Sequence, residues 1–178
     1  GSGIVFESSL RELTISNSLF DSNKANVSLT SDLEGEAKGG GFYFNYNSYL
    51  EIVNCTFKSN TADREGGGIA IEKCTSCLIN NCTFTSNKAG QQDFGNSTHN
   101  SKQGGALYFC ARDSKSALTY DVTNCSFDHN QGDGNGHALC ISGTNTHVIV
   151  SGDCIFASNA QSIGSQIIVT QNAELSLN

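Results

Sequence analysis

A repeat constrains this chain more than any other feature. The motif Phe-x-x-Asn occurs at Phe20/Asn23, Phe57/Asn60, Phe84/Asn87, Phe127/Asn130 and Phe156/Asn159, in steps of 37, 27, 43 and 29 residues. Two residues before each Phe stands Ser18, Cys55, Cys82, Cys125 or Cys154, and five before the first four stands Ile15, Ile52, Ile79 or Val122. The last copy carries one extra residue, which places Val150 six before its Phe. A polar stretch then leads from each Asn into a glycine-rich strand start: Gly40-Gly41-Phe42-Tyr43-Phe44, Gly67-Gly68-Ile69-Ala70-Ile71, Gly104-Gly105-Ala106-Leu107, Gly136-His137-Ala138-Leu139 and Gly164-Ser165-Gln166-Ile167. Ser2-Gly3-Ile4-Val5-Phe6 fits the same frame.

Short runs of period-two alternation, closed off by Gly, Asn, Ser and Asp, read as strands, and no helical period competes. Self-similarity at this spacing points to a solenoid whose repeats stack to bury a shared core. With several short strands per repeat, the expectation is an all-β chain folded as a right-handed parallel β-helix of the pectin-lyase-like type, with about five to six coils. Coils about 4.8 Å apart turn equivalent residues into rows along the axis. Three inward rows follow: Ile4, Phe42, Ile69, Leu107, Leu139, Ile167; then Phe6, Phe44, Ile71, Phe109, Ile141, Val169; then Leu13, Leu50, Cys77, Tyr120, Val148. Asn23, Asn60, Asn87, Asn130 and Asn159 mark a corner where an amide side chain can bond its own backbone or the Asn one coil away, and where left-handed backbone is tolerated. Gly or Ala at 3, 41, 68, 106 and 138 is expected to form the tight bend before the strand.

The pairing of Gly-Gly-Ala-Leu with Phe-x-x-Asn, seen most closely at Gly104-Gly105-Ala106-Leu107 and Phe84-Thr85-Ser86-Asn87, resembles the repeats of the chlamydial polymorphic outer membrane proteins and related microbial surface proteins. The resemblance covers nearly the whole chain and implies an adhesive role in an extracellular passenger region. That family is defined by repeats and not by a reactive site.

At 178 residues, the chain is long enough for one sizeable domain. Residues 1–178 are read as one β-helix domain, a fragment of a longer solenoid or one capped by a partner, because bare solenoid ends expose strand edges. Two polar insertions, 26–38 and 90–103, lie at the same place in the coil, between the Asn corner and the glycine entry, and are expected to project from one side. Net charge is −7 and only ten Lys and Arg are present, which argues against nucleic acid or an anionic membrane as partner. No apolar run of membrane-spanning length occurs, so direct membrane insertion by this segment is not expected.

Eight cysteines favour an oxidising compartment, hence an extracellular or cell-surface location. The candidate N-glycosylation sites Asn26, Asn54, Asn81, Asn96 and Asn124 agree. Within the Cys55, Cys82, Cys125, Cys154 column, in-register Cβ atoms sit wider than the roughly 3.8 Å a disulfide prefers, so buried thiols are favoured over a disulfide ladder. Cys74-Thr75-Ser76-Cys77 lacks the second ligand pair zinc needs; Cys77 falls in an inward row, leaving Cys74 free at the bend or bonded to Cys110. His99, His129, His137 and His147 fall at unrelated repeat positions and are expected in turns or at the surface. Asp21, Asp63, Asp128 and Asp153 sit at differing corner offsets, unlike the clustered carboxylates of polysaccharide lyases and hydrolases.

The outward position of the glycine-led strand holds Val5, Tyr43, Ala70, Tyr108, Cys140 and Ile168, all apolar or aromatic. Such a stripe reads as a candidate interface, or as a face covered by the two insertions. The functional expectation is a non-enzymatic, cofactor-free structural or adhesive surface module, its partner a protein or glycan surface or further copies of the same solenoid. A filament or coat subunit and a carbohydrate-active enzyme are the alternatives.

Overall fold

Strand runs too short to form a sheet with their chain neighbours find partners one repeat away. The computed structural model describes residues 3–6, 11–26, 37–45, 48–90, 103–111, 117–132, 136–159 and 165–178, and among them every regular element is a strand. The glycine-led face is built from β1 (Ile4–Phe6), β5 (Phe42–Asn45), β9 (Ile69–Glu72), β13 (Leu107–Cys110), β16 (Leu139–Ser142) and β19 (Ile167–Thr170), paired in that order. A middle face stacks β2 (Glu12–Ser16), β6 (Tyr49–Val53), β10 (Ser76–Asn80), β14 (Leu118–Thr123), β17 (Thr146–Ser151) and β20 (Glu174–Leu177). The phenylalanine face stacks β3 (Leu19–Asp21), β7 (Thr56–Lys58), β11 (Thr83–Thr85), β15 (Ser126–Asp128) and β18 (Ile155–Ala157). A short edge holds β4 (Lys24–Ala25), β8 (Thr61–Ala62) and β12 (Lys88–Ala89). All pairings are parallel, each strand against its counterpart in the next coil, which is the connectivity of a β-helix.

The register reproduces the three inward rows residue for residue: Phe42 lies against Ile69, Phe44 against Ile71, and Leu50 against Cys77. Their side chains, apart from Ile4 and Val169, which are exposed on the two outer strands of the glycine-led face, form one continuous core with the phenylalanine column. Phe20, Phe57, Phe84, Phe127 and Phe156 stack along the axis with ring centroids 4.6, 5.1, 4.9 and 4.6 Å apart and ring planes within 7° of parallel. Offset stacking at this separation adds about 0.5–1.5 kcal/mol per pair beyond area burial. A one-residue slip here would send each Phe outward and unstack the column.

The corner asparagines form the expected ladder. Asn60 Nδ2 donates to Phe20 O at 2.8 Å and to Asn87 Oδ1 at 3.0 Å, and Asn87 Oδ1 also accepts from the Asn60 backbone N–H at 3.0 Å. The same set recurs at Asn87 toward Phe57 and Asn130, and at Asn130 toward Phe84 and Asn159. Left-handed backbone, however, is not at these asparagines. It falls one residue earlier, at Ser22, Ser59, Ser86, His129 and Ser158, with φ between 48° and 57°. The amide must point along the axis to reach the next rung, and the preceding residue absorbs the turn.

The glycine bend is displaced too. Positive φ occurs at Gly39, Gly66, Gly104 and Gly136, two residues before the column at 3, 41, 68, 106 and 138. The chain doubles back there so closely that a Cβ on Gly39 would collide with the Phe42 carbonyl, and one on Gly66 with that of Ile69. This fold-back decides what lies over the outward side of the glycine-led face.

Candidate functional site

Strand alternation turns Tyr43, Ala70, Tyr108 and Cys140 outward, yet the candidate interface is not open. Tyr43, Ala70, Tyr108 and Cys140 are buried and form, with Cys110, a second apolar cluster outside the main core, against which Ile168 is half-buried. Only Val5, on the terminal strand β1, stays exposed. The reason is the fold-back at the positive-φ glycines, which lays the preceding residues across the face. Lys38, Glu65 and Gln103 each immediately precede such a glycine and follow one another in the stack: Gly39 N–H donates to Glu65 O, and Gly66 N–H to Gln103 O. The Gln103 side chain reaches the row itself, where its Oε1 accepts from Cys140 Sγ at 3.2 Å.

A charge cluster closes this cover. Lys38 Nζ lies 2.7 Å from Glu72 Oε1 and 3.9 Å from Glu65 Oε2, and the Tyr43 hydroxyl donates to Glu72 Oε2 at 3.0 Å. The three charged side chains are 3, 6 and 3% exposed for Lys38, Glu65 and Glu72. Glu65 Oε2 is buried without a hydrogen-bond partner. Burial pushes the Glu65 carboxyl above its ordinary range, against the opposing pull of Lys38 and with a further push from Glu72. Burial likewise raises the Tyr108 phenol and the Cys140 thiol, with Glu65 adding to both. Removing one partner of such a pair typically costs about 3–5 kcal/mol, because the other charge is stranded in a dry site. The cluster therefore fastens the end of the 26–38 insertion to β9, and it places an amine against a carboxyl with a second carboxyl beside both.

Sequence reasoning missed this constellation. It followed the aspartates; of those, Asp63 is buried near the same edge, while Asp21 and Asp153 are exposed. The available signal was the column itself, in which Lys38, Glu65 and Gln103 are long polar residues before successive glycines.

The cysteine column packs as thiols, and all eight cysteines are free, so neither a disulfide ladder along the column nor a Cys74–Cys110 bridge is present. Each thiol of the column hydrogen-bonds a carbonyl nearby in its own coil and one in the coil before: Cys55 to Val53 O and Ile15 O, Cys82 to Asn80 O and Ile52 O. The hydrogen bond between Cys125 and Cys154 draws the half-buried Cys154 thiol down to about 6 and pushes Cys125 up. Cys154, at the accessible end, is the thiol of the column set up to react first. Cys74 is buried and donates to Ser48 O and Ser76 O, while Tyr120, in the row of Cys77, bonds Cys74 O at 3.0 Å.

The histidines divide. His129 is an exposed turn residue 2.8 Å from Asp128, and His147 meets Ser176 Oγ at 2.9 Å. His137 corrects the expectation of a surface or turn residue: it is fully buried in the column of Gly40, Gly67 and Gly105, with Nδ1 accepting from Gly132 N–H. His99 and Asn96 lie outside the described residues.

A second asparagine row runs along another corner. Asn17, Asn54, Asn81 and Asn124 are exposed, have φ of 50–56°, and are linked by side-chain bonds, Asn54 to Asn17 at 3.3 Å and Asn81 to Asn54 at 2.7 Å. Asn124 instead reaches Asn80 Oδ1 at 3.3 Å. Three of these are glycosylation candidates, and Asn26 is exposed as well.

A family model described as a right-handed beta helix region matches residues 28–107. No curated protein and no solved structure matches the chain. The match and the all-parallel stack agree, and the chain folds as a right-handed parallel β-helix.

Proposed function

We propose that this β-helix is a non-enzymatic structural and adhesive module of an extracellular or cell-surface protein, akin to the chlamydial-type repeats it resembles, which binds a protein or glycan surface through its two insertions. One observation carries the reading. Both insertions leave and re-enter the stack at one edge, clamped to opposite sides of the short coil between them: Asp63 N–H bonds Ala25 O, Arg64 N–H bonds Ala37 O, Gly90 N–H bonds Ala62 O, and Gly66 N–H bonds Gln103 O. A stack that keeps its strands in register and carries its two longest connections at one edge is built to present those segments side by side.

Two features of the same geometry favour this reading over its alternatives. A filament assembled laterally through Tyr43 and Tyr108 would need a stripe that is covered. The buried carboxyl pair is no substitute for a carbohydrate-active site, since Glu65 and Glu72 are shut from solvent and Glu72 is engaged at both oxygens. Glycans fit this location at Asn26 and at some rungs of the Asn54, Asn81, Asn124 row. Neighbouring rungs about 4.8 Å apart leave no room for full occupancy, which intact-mass measurement on secreted protein reads directly.

The test replaces 27–36 and 91–102 with short linkers of the length that joins Ala62 to Glu65. Binding to a panel of immobilised matrix proteins and glycans should vanish while the thermal transition stays in place. Unchanged binding by the doubly shortened chain would end the adhesive reading.

A further inference from the structure

Lys38, Glu72, Glu65 and Tyr43 form an arrangement that a salt bridge alone does not require. An amine nitrogen sits 2.7 Å from a carboxyl oxygen, a hydroxyl is bonded to the other oxygen of that carboxyl, and a second buried carboxylate has an oxygen without a hydrogen-bond partner 3.9 Å from the amine. The three charged side chains are buried, and Tyr43 belongs to the apolar cluster of the covered face. We propose that Lys38 and Glu72 condense to an intramolecular amide, with Glu65 carrying the protons and Tyr43 holding the oxygen that becomes negative.

Each step balances. Glu65 takes a proton from the Lys38 ammonium, leaving a neutral amine, and burial that raises the Glu65 carboxyl makes it a competent acceptor. Nζ attacks the Glu72 carboxyl carbon, forming the C–N bond and a tetrahedral centre whose oxyanion keeps the Tyr43 hydroxyl hydrogen bond. Glu65 returns its proton to the departing oxygen, the nitrogen passes its remaining extra proton to that same oxygen, and the C–O bond breaks to release one water. No oxidant or other reactant enters. In water, amine and carboxylate stay apart as ions; here the two are held in contact in a dry site, and such positioning supplies a large share of a barrier. The product ties the end of the 26–38 insertion covalently to β9, one coil on. It stands independently of what the insertions bind.

The reduced full chain is weighed intact and then mapped by proteolysis. A mass one water below that of the sequence, with a branched peptide joining Lys38 to Glu72, is the expected result. A mass equal to that of the sequence overturns the proposal, as does a water lost at any other pair or at a cyclised Asn or Asp. Glu65→Gln, which keeps the shape and removes the proton carrier, should give folded protein of full mass; condensation undiminished in that variant would remove Glu65 from the mechanism. Tyr43→Phe should leave a mixture of condensed and uncondensed chain, and complete condensation there would show that the hydroxyl is not the oxyanion donor.

Discussion

Two asparagine rows run the length of this solenoid at different corners, and they use the same residue for opposite properties. The inner row, Asn60, Asn87, Asn130 and Asn159, is buried; each amide of the first three donates to a phenylalanine carbonyl one coil back and to the next asparagine, which in return accepts that residue's backbone N–H. The outer row, Asn17, Asn54, Asn81 and Asn124, is exposed, and there the backbone holds the left-handed conformation. Inside, the side chain matters and the turn is delegated to the preceding serine or histidine. Outside, the backbone matters and the amide bonds are a surface addition. Composition would count eight equivalent corner residues along the two rows; physical chemistry separates them.

The largest effect should come from putting a charge in the inner row. Asn87→Asp keeps the acceptor for Asn60 N–H but turns an oxygen toward the Phe57 carbonyl and buries a carboxylate. Its folded-state pKa must then rise, so stability is retained at acidic pH and lost as pH rises toward neutral. Urea midpoints for Asn87→Asp should fall steeply between acidic and neutral pH, whereas those for Asn81→Asp should not. Next comes Asn87→Ala, which strands the buried Asn60 backbone N–H and takes the side-chain donor from the Phe57 carbonyl; at roughly 1–3 kcal/mol for an unpaired buried group, the loss is about 2–3 kcal/mol. Asn81→Ala should cost about 1 kcal/mol, the penalty of left-handed backbone for an alanine. Equal losses at 81 and 87 by equilibrium denaturation would dissolve the distinction between the rows.

Much of this was legible in the sequence. The inward rows, the phenylalanine column, the thiol column and the amide ladder all follow from residues that recur at fixed offsets, because in-register stacking turns a sequence period into a contact. What was not legible depends on the path between the offsets. Asparagine's tolerance of left-handed backbone pointed to Asn60 and Asn87, but their inter-coil bonds fix them and move the turn to Ser59 and Ser86. Alternation marks Tyr43 and Tyr108 as outward but leaves open whether that face is bare or covered. Only the fold-back at Gly39 and Gly66, two residues earlier than the expected bend, brings Lys38 and Glu65 over them. Glu72 carried no signal alone; its partner is 34 residues away in the chain.

The smallest predicted effect discriminates most cleanly. Glycine reaches positive φ without a Cβ penalty and has no side chain to offer. Asn81→Gly therefore keeps what the outer position needs and should change the unfolding free energy from urea titration by only a few tenths of a kcal/mol, the gain in unfolded-chain entropy being offset by relief of the left-handed backbone. Asn87→Gly supplies freedom where none is used and removes every bond of the rung, so it should lose at least as much as Asn87→Ala. If glycine instead rescues position 87 relative to alanine, the inner row is held by its backbone after all, and the amide ladder is a consequence of the coil's stacking and not one of its causes.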